Sequence, residues 1–244
     1  MNSIVIKNLT KSFKDTVAVD NLSLEVKEGE LFSLLGVNGA GKSTTIKILT
    51  GLLKPDSGDA YILGKNVFDS TTGVKKNVAV SPQETAVAPN LTVRENLEFF
   101  ADIYGLSKEE KKKKIEEIIG EFELKSIENK RSVKLSGGWQ RRLSIAIALV
   151  TQPKVLFLDE PSLGLDVLAR RELWKTISSL KGKITIILTT HYMEEAEALS
   201  DRVGVMVKGK LLDVDTPESL IERTNSKNFE EAFVNVVTKA RGAL

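Results

Sequence analysis

The sequence contains no cysteine, which excludes disulfides and every thiolate metal site. It has one histidine, His191, too few for a histidine-clustered metal centre. Charge of one sign is not in excess either. The 35 basic and 33 acidic side chains leave a formal charge of +2, so no nucleic-acid partner is expected on electrostatic grounds. Long hydrophobic runs are missing as well. The most apolar stretches, around 145–150 and 184–188, fall far short of the ~20 residues that span a bilayer. The first seven residues read as a strand and lack the basic start and apolar core of a signal peptide. A chain of 244 residues then reads as one large domain, or one domain divided into lobes, that does not cross a membrane by itself.

Residues 3–27 and 57–64 read as short strands joined by Asp, Asn and Gly turns, an antiparallel sheet. Between them, 31–35 is a mostly apolar strand, followed by a glycine-rich turn and a helix over about 42–52. That is a buried, parallel-type strand feeding a helix. From 92 to about 123 the pattern is helical, with Leu97, Phe100, Ile103 and Tyr104 and, after a lysine-rich turn, Ile115, Ile118, Ile119 and Phe122 at helical spacing. Another helix is expected over 136–150. Strand 154–159, helix 166–180, strand 183–189, helix 192–199 and strand 202–207 alternate, which predicts a parallel sheet with helices on both faces. The run 108–114 is rich in lysine and reads as a solvated helix face.

Gly36-Val37-Asn38-Gly39-Ala40-Gly41-Lys42-Ser43 matches the phosphate-loop pattern, between a strand and a helix as that pattern requires. Its glycines let successive N–H groups point at phosphate oxygens, and the helix after Gly41 adds the positive end of its dipole. Lys42 is expected to reach the β- and γ-phosphates and Ser43 to place its hydroxyl on Mg²⁺. A second group stands at the end of the apolar run Val155-Leu156-Phe157-Leu158, where Asp159 and Glu160 follow. Open α/β sheets hold ligands at the C-terminal ends of their strands. Asp159 suits Mg²⁺, and Glu160 suits a general base on the attacking water. Two carboxylates merely capping a strand are the plainer reading of this pair alone.

Leu135-Ser136-Gly137-Gly138 then narrows the choice. It resembles the signature of the ABC family, a Ser-Gly-Gly turn at a helix start. Four further residues in the same order resemble that family. Gln83 stands where its Q-loop glutamine senses Mg²⁺ and water. Leu163-Gly164-Leu165-Asp166 resembles its D-loop. His191 resembles its switch histidine, and Phe13 the aromatic that stacks on adenine. Taken singly, Gln83 reads equally as a loop residue, Asp166 as a helix N-cap and Phe13 as a core aromatic.

The resemblance, over about 1–215, implies an α/β P-loop NTPase of the ABC cassette type. It would have a mainly parallel core sheet, an antiparallel β subdomain and an inserted α-helical subdomain near 85–150. The ATPase domain would occupy 1–216. A C-terminal extension, 217–244, would carry two short amphipathic helical segments resembling the ends of ABC-2-type exporter subunits, a group that includes drug and sodium efflux systems. The resemblance also implies ATP and Mg²⁺, with Lys42, Gln83, Glu160 and His191 serving catalysis. Phe13, Gly36, Asn38, Gly39, Ala40, Gly41, Lys42, Ser43 and Thr44 would bind the nucleotide, and Ser43, Gln83 and Asp159 the metal. Ser136, Gly137, Gly138 and Asp166 would act on ATP across a dimer interface.

The partners implied are a membrane permease and a second ABC subunit, identical or not, at the cytoplasmic face of the cell membrane. Trp139 departs from the glutamine usual after Gly-Gly. A soluble ABC ATPase in macromolecular assembly and a P-loop small-molecule kinase are the competing readings. The first is disfavoured by a single cassette without long heptads, the second by the signature and the histidine.

Overall fold

The computed structural model describes residues 1–68 and 71–242, with Thr71, Thr72, Arg241 and Gly242 described by backbone alone. It divides into two compact units, Met1–Lys75 with Lys181–Leu244, and Lys76–Leu180.

In the first unit, strands Asn2–Phe13 and Thr16–Lys27 pair antiparallel, and Ser57–Ile62 and the short Lys65–Asn66 extend the sheet. Ile4, Ile6, Leu22, Leu24 and Val26 are buried at alternate positions, as a sheet covered on one face requires. In a second sheet, Leu31–Leu35 runs parallel to both Thr185–Thr190 and Arg202–Val207. Every residue of 31–35 and 185–190 is buried, which explains why they are mostly apolar or β-branched, with only Ser33 and three threonines as polar members. The helix expected over 42–52 is Lys42–Leu49, ended by a turn in which Gly51 has φ +72°.

Strand Lys210–Asp215, paired antiparallel to Arg202–Val207, was not expected from the sequence. After exposed Lys210 its residues are half-buried without alternation, so neither strand pattern shows. The signal is the turn before it, where Lys208 and Gly209 have φ of +47° and +83°, the geometry of a tight hairpin.

The C-terminal segments are helices Pro217–Arg223 and Phe229–Gly242. Thr216 caps the first by accepting from Ser219 N at 3.1 Å, with Pro217 in its first turn. The second is longer than the short segment expected. Phe229, Ala232, Phe233 and Val236 form one buried stripe packed with Leu35, Val203 and Val205, the i, i+3, i+4, i+7 spacing of a docked helix. Residues 243–244 of the expected extension lie outside the described residues.

In the second unit, strands Val78–Ser81 and Val155–Asp159 pair in parallel, Ser81 opposite Leu158. The helical stretch from 92 is two helices, Val93–Ile103 and Lys108–Glu121, each opened by a capping box, Thr92 with Glu95 and Ser107 with Glu110. Gly105, with φ +74°, separates them. The lysines of the second helix face solvent or pair locally, Lys111 with Asp102 at 2.6 Å and Lys114 with Glu117 at 3.6 Å. Fully buried Asn96 pins the loop before the first helix. Its Nδ2 donates to Ala88 O, Leu91 O, Thr92 O and Ser132 Oγ, while its Oδ1 accepts from Ala88 N. Helices Gly137–Ala148 and Val167–Ser178 complete the unit.

Candidate nucleotide site

In the first unit the phosphate loop joins the buried strand Leu31–Leu35 to the helix Lys42–Leu49. Gly41 has φ +105°, and a Cβ there would lie 2.2 Å from Ala18 O. Only glycine fits that position. No side chain caps the helix and no acidic residue sits in its first turn, so its positive end is open to an anion. Lys42, 3% exposed, donates from Nζ to Gly36 O at 2.7 Å and to Val37 O at 3.3 Å. It is held over the loop by the loop's own carbonyls. Asn38 and Gly39 are exposed, Ala40 is buried, and Ser43 and Thr44 are half-buried. Gly36 N donates to Thr190 O at 3.2 Å, so the loop begins beside the residue before His191. The half-buried imidazole of His191 lies against the Tyr192 ring, centroids 4.2 Å apart. Phe13 is 48% exposed with Lys11 Nζ 5.6 Å from its ring centroid, so it is not a core aromatic.

In the second unit, Asp159 and Glu160 end the buried strand and are themselves buried. Glu160 has φ +47°, a backbone that non-glycine residues adopt at a cost of about 1–3 kcal/mol and that clusters at functional sites. Gln83, exposed, follows the neighbouring strand Val78–Ser81 by two residues. The parallel register thus brings Gln83 to the same end of the strand pair as the two carboxylates.

Ser136 is exposed and stands at the start of the helix Gly137–Ala148 without capping it. Close packing fixes Gly138, where a Cβ would meet the Ala169 Cβ at 2.8 Å. The Trp139 indole lies under the Arg142 guanidinium, 4.8 Å from carbon to ring centroid. Arg142 also pairs with Glu123 at 3.4 Å and Glu172 at 3.8 Å. Ser136, Gly138, Trp139 and Arg142 border a cavity of about 190 Å³. Asp166 accepts from Leu168 N and Ala169 N, both at 2.9 Å, so the N-cap role weighed for it is real. The turn before that helix is braced by Trp174 Nε1, which donates to the buried Ser162 Oγ at 3.0 Å.

A sequence model of the family described as ABC transporter matches residues 19–163, more than half of the chain. The chain belongs to the ABC transporter family. The cassette is 41% identical over 240 residues to the probable multidrug ABC transporter ATP-binding protein YbhF of Escherichia coli (strain K12), covering 96% of this chain and 41% of that protein. It is 43% identical over 224 residues to Nod factor export ATP-binding protein I of Burkholderia orbicola (strain AU 1054), covering 90% of this chain and 72% of that protein. Among solved structures it is similar to the ATP-binding cassette MJ0796, a dimer in a post-hydrolysis state bound to ADP and Pi. The TM-score is 0.77 and the identity 28%, over 87% of this chain and 98% of that one. The chain spans less than half the length of YbhF. The fold is the P-loop ABC cassette, and the chain is an ATPase domain of that type.

Membership sets the geometry in order. The phosphate loop, Phe13 and His191 lie in one unit of the cassette, and Gln83, the Ser136–Gly138 turn, Asp159, Glu160 and Asp166 in the other. Among the described residues no cluster of three or more metal-ligating His, Asp or Glu side chains is present. Mg²⁺ does not need one, because it keeps several waters and takes one or two carboxylates with substrate phosphates. Half-buried Ser43 in one unit and buried Asp159 in the other are each an oxygen donor of the kind that hard cation takes. Arg141 belongs to the run Gln140-Arg141-Arg142, which supports the family resemblance in the sequence without a role for the arginine. It follows the motif by three residues, and only the structure shows what its side chain holds.

Proposed function

We propose that this cassette is the ATP-hydrolysing motor of an exporter, working as one of a pair of cassettes on a membrane permease at the cytoplasmic face. One observation carries the reading: a chain of the ABC family retains together the loop lysine Lys42, the strand-end Glu160 and an uncapped Ser136-Gly137-Gly138 helix start. YbhF and the Nod factor protein bear names of transport and export, and MJ0796 is dimeric, which supports export and pairing. It disfavours an assembly ATPase. Among the described residues no helix is long and apolar enough to cross a membrane.

In this mechanism the backbone of the phosphate loop at the helix start and Lys42 bind the β- and γ-phosphates, and Phe13 stacks on the adenine. Ser43 and Asp159 would hold Mg²⁺, which when bound neutralises charge on the phosphate oxygens. Glu160 takes the proton of the attacking water, Gln83 orients that water, and His191 donates to the γ-phosphate. Ser136 and Gly138 close on the nucleotide of the second cassette, with Asp166 at the same seam. Dimer closure does the mechanical work, and product release resets it.

Docking on the permease is assigned to the surface around 84–104. Phe99, Ile103 and Tyr104 are 48%, 60% and 59% exposed there, apolar area that a partner would cover. Replacing all three with serine is expected to abolish most transport in vesicles while leaving ATP hydrolysis within about 2-fold, as surface changes usually do. Transport that survives intact would move the docking face elsewhere.

A further inference from the structure

Arg141 stands one turn into the helix Gly137–Ala148 and is 3% exposed. Its guanidinium donates to backbone carbonyls on two separate segments. Nε donates to Pro161 O at 2.8 Å, and Nη2 to Asp159 O at 2.8 Å and Glu160 O at 2.9 Å. Nη1 donates to Pro82 O and, at 3.2 Å, to Gln83 O. A guanidinium offers five N–H donors in a fixed plane, and five carbonyls receive them.

The pairing of those carbonyls has a mechanical meaning. Asp159 O and Glu160 O belong to the two peptide groups on either side of the Glu160 Cα. Pro82 O and Gln83 O flank the Gln83 Cα in the same way. In an extended chain successive carbonyls point to opposite sides, so two of them reach one nitrogen only when the residue between them turns. Glu160 makes that turn with φ +47°, a conformation that persists only where its surroundings impose it. Nη2 is such a restraint. The structure therefore assigns Arg141 as a positioning residue for hydrolysis: one buried guanidinium fixes the backbones of Gln83 and Glu160, and with them the spacing of their side chains. This rests on the roles given above to Gln83 and Glu160. Lysine cannot replace it, because a point ammonium with three donors does not span both segments.

The test is Arg141→Lys in the full chain, read by hydrolysis and by nucleotide titration. The expected result is a kcat lower by about 10- to 100-fold, the scale of misplacing a reacting group, with KM and nucleotide affinity within about 3-fold. In a Gln83→Ala, Glu160→Gln background the same change is expected to lower the residual rate by less than about 3-fold, since groups already removed are not misplaced further. Equal losses in both backgrounds, or a loss in affinity with kcat unchanged, overturn the assignment. Glu160→Gln alone keeps the two failures apart: near-full turnover there removes the base assignment, whatever Arg141 does. Should Arg141→Lys fail to fold by circular dichroism, Arg141→Ala is measured with millimolar methylguanidinium. Recovery of kcat supports the assignment, and a folded variant without recovery overturns it.

Discussion

Glu160→Gln is expected to lower ATP hydrolysis by about 10²–10⁴-fold, the usual loss on removing a general base, while ATP affinity stays within about 3-fold. The substitution keeps the size and shape of the side chain and removes its basicity. It also leaves the local backbone held, because Arg141 grips the Asp159 and Glu160 carbonyls rather than the Glu160 carboxylate. Single-turnover phosphate release beside a nucleotide titration checks both halves. Retention of more than about half the turnover would remove Glu160 as the base.

Lys42→Ala acts at the other end of the chemistry. Nζ is held at 2.7 Å from Gly36 O, so the ammonium is in place before phosphate arrives. A hydrogen bond to a charged group is worth about 1.5–3 kcal/mol, so its loss is expected to weaken ATP binding by about 10- to 100-fold. Titration with a fluorescent ATP analogue reads this directly. Unchanged affinity would mean that the loop does not cradle the phosphates.

The parts legible in the sequence are those whose chemistry is local. The phosphate loop declares itself because Gly41 needs a left-handed backbone and Lys42 must follow it. The strands 31–35 and 185–190 declare themselves because burial on both faces leaves mostly apolar and β-branched residues, with no charge. The capping boxes at Thr92 and Ser107 were written in the sequence too, and they divide a stretch that hydrophobic spacing alone joins. Strand Lys210–Asp215 was not legible, because an edge strand half-buried from Leu211 to Asp215 shows no period. The length of the last helix is legible in the stripe of Phe229, Ala232, Phe233 and Val236, which continues past Val234. Asp166 had two sequence readings, and the structure shows the capping one, which does not conflict with a place at a dimer seam. The role of Arg141, though the residue itself belongs to the run that matches the family, was not legible for a different reason. Its partners are carbonyls, which every residue type supplies, so no pattern of side chains announces them.

The measurement closest to the central claim is the mass of purified Glu160→Gln protein by light scattering, with and without ATP and Mg²⁺. The account predicts a monomer that doubles when ATP is bound and cannot be hydrolysed, closed through the Ser136–Gly138 helix start, with Trp139 accommodated. A protein that binds ATP and keeps the mass of a monomer would contradict pairing of this cassette with its own copy.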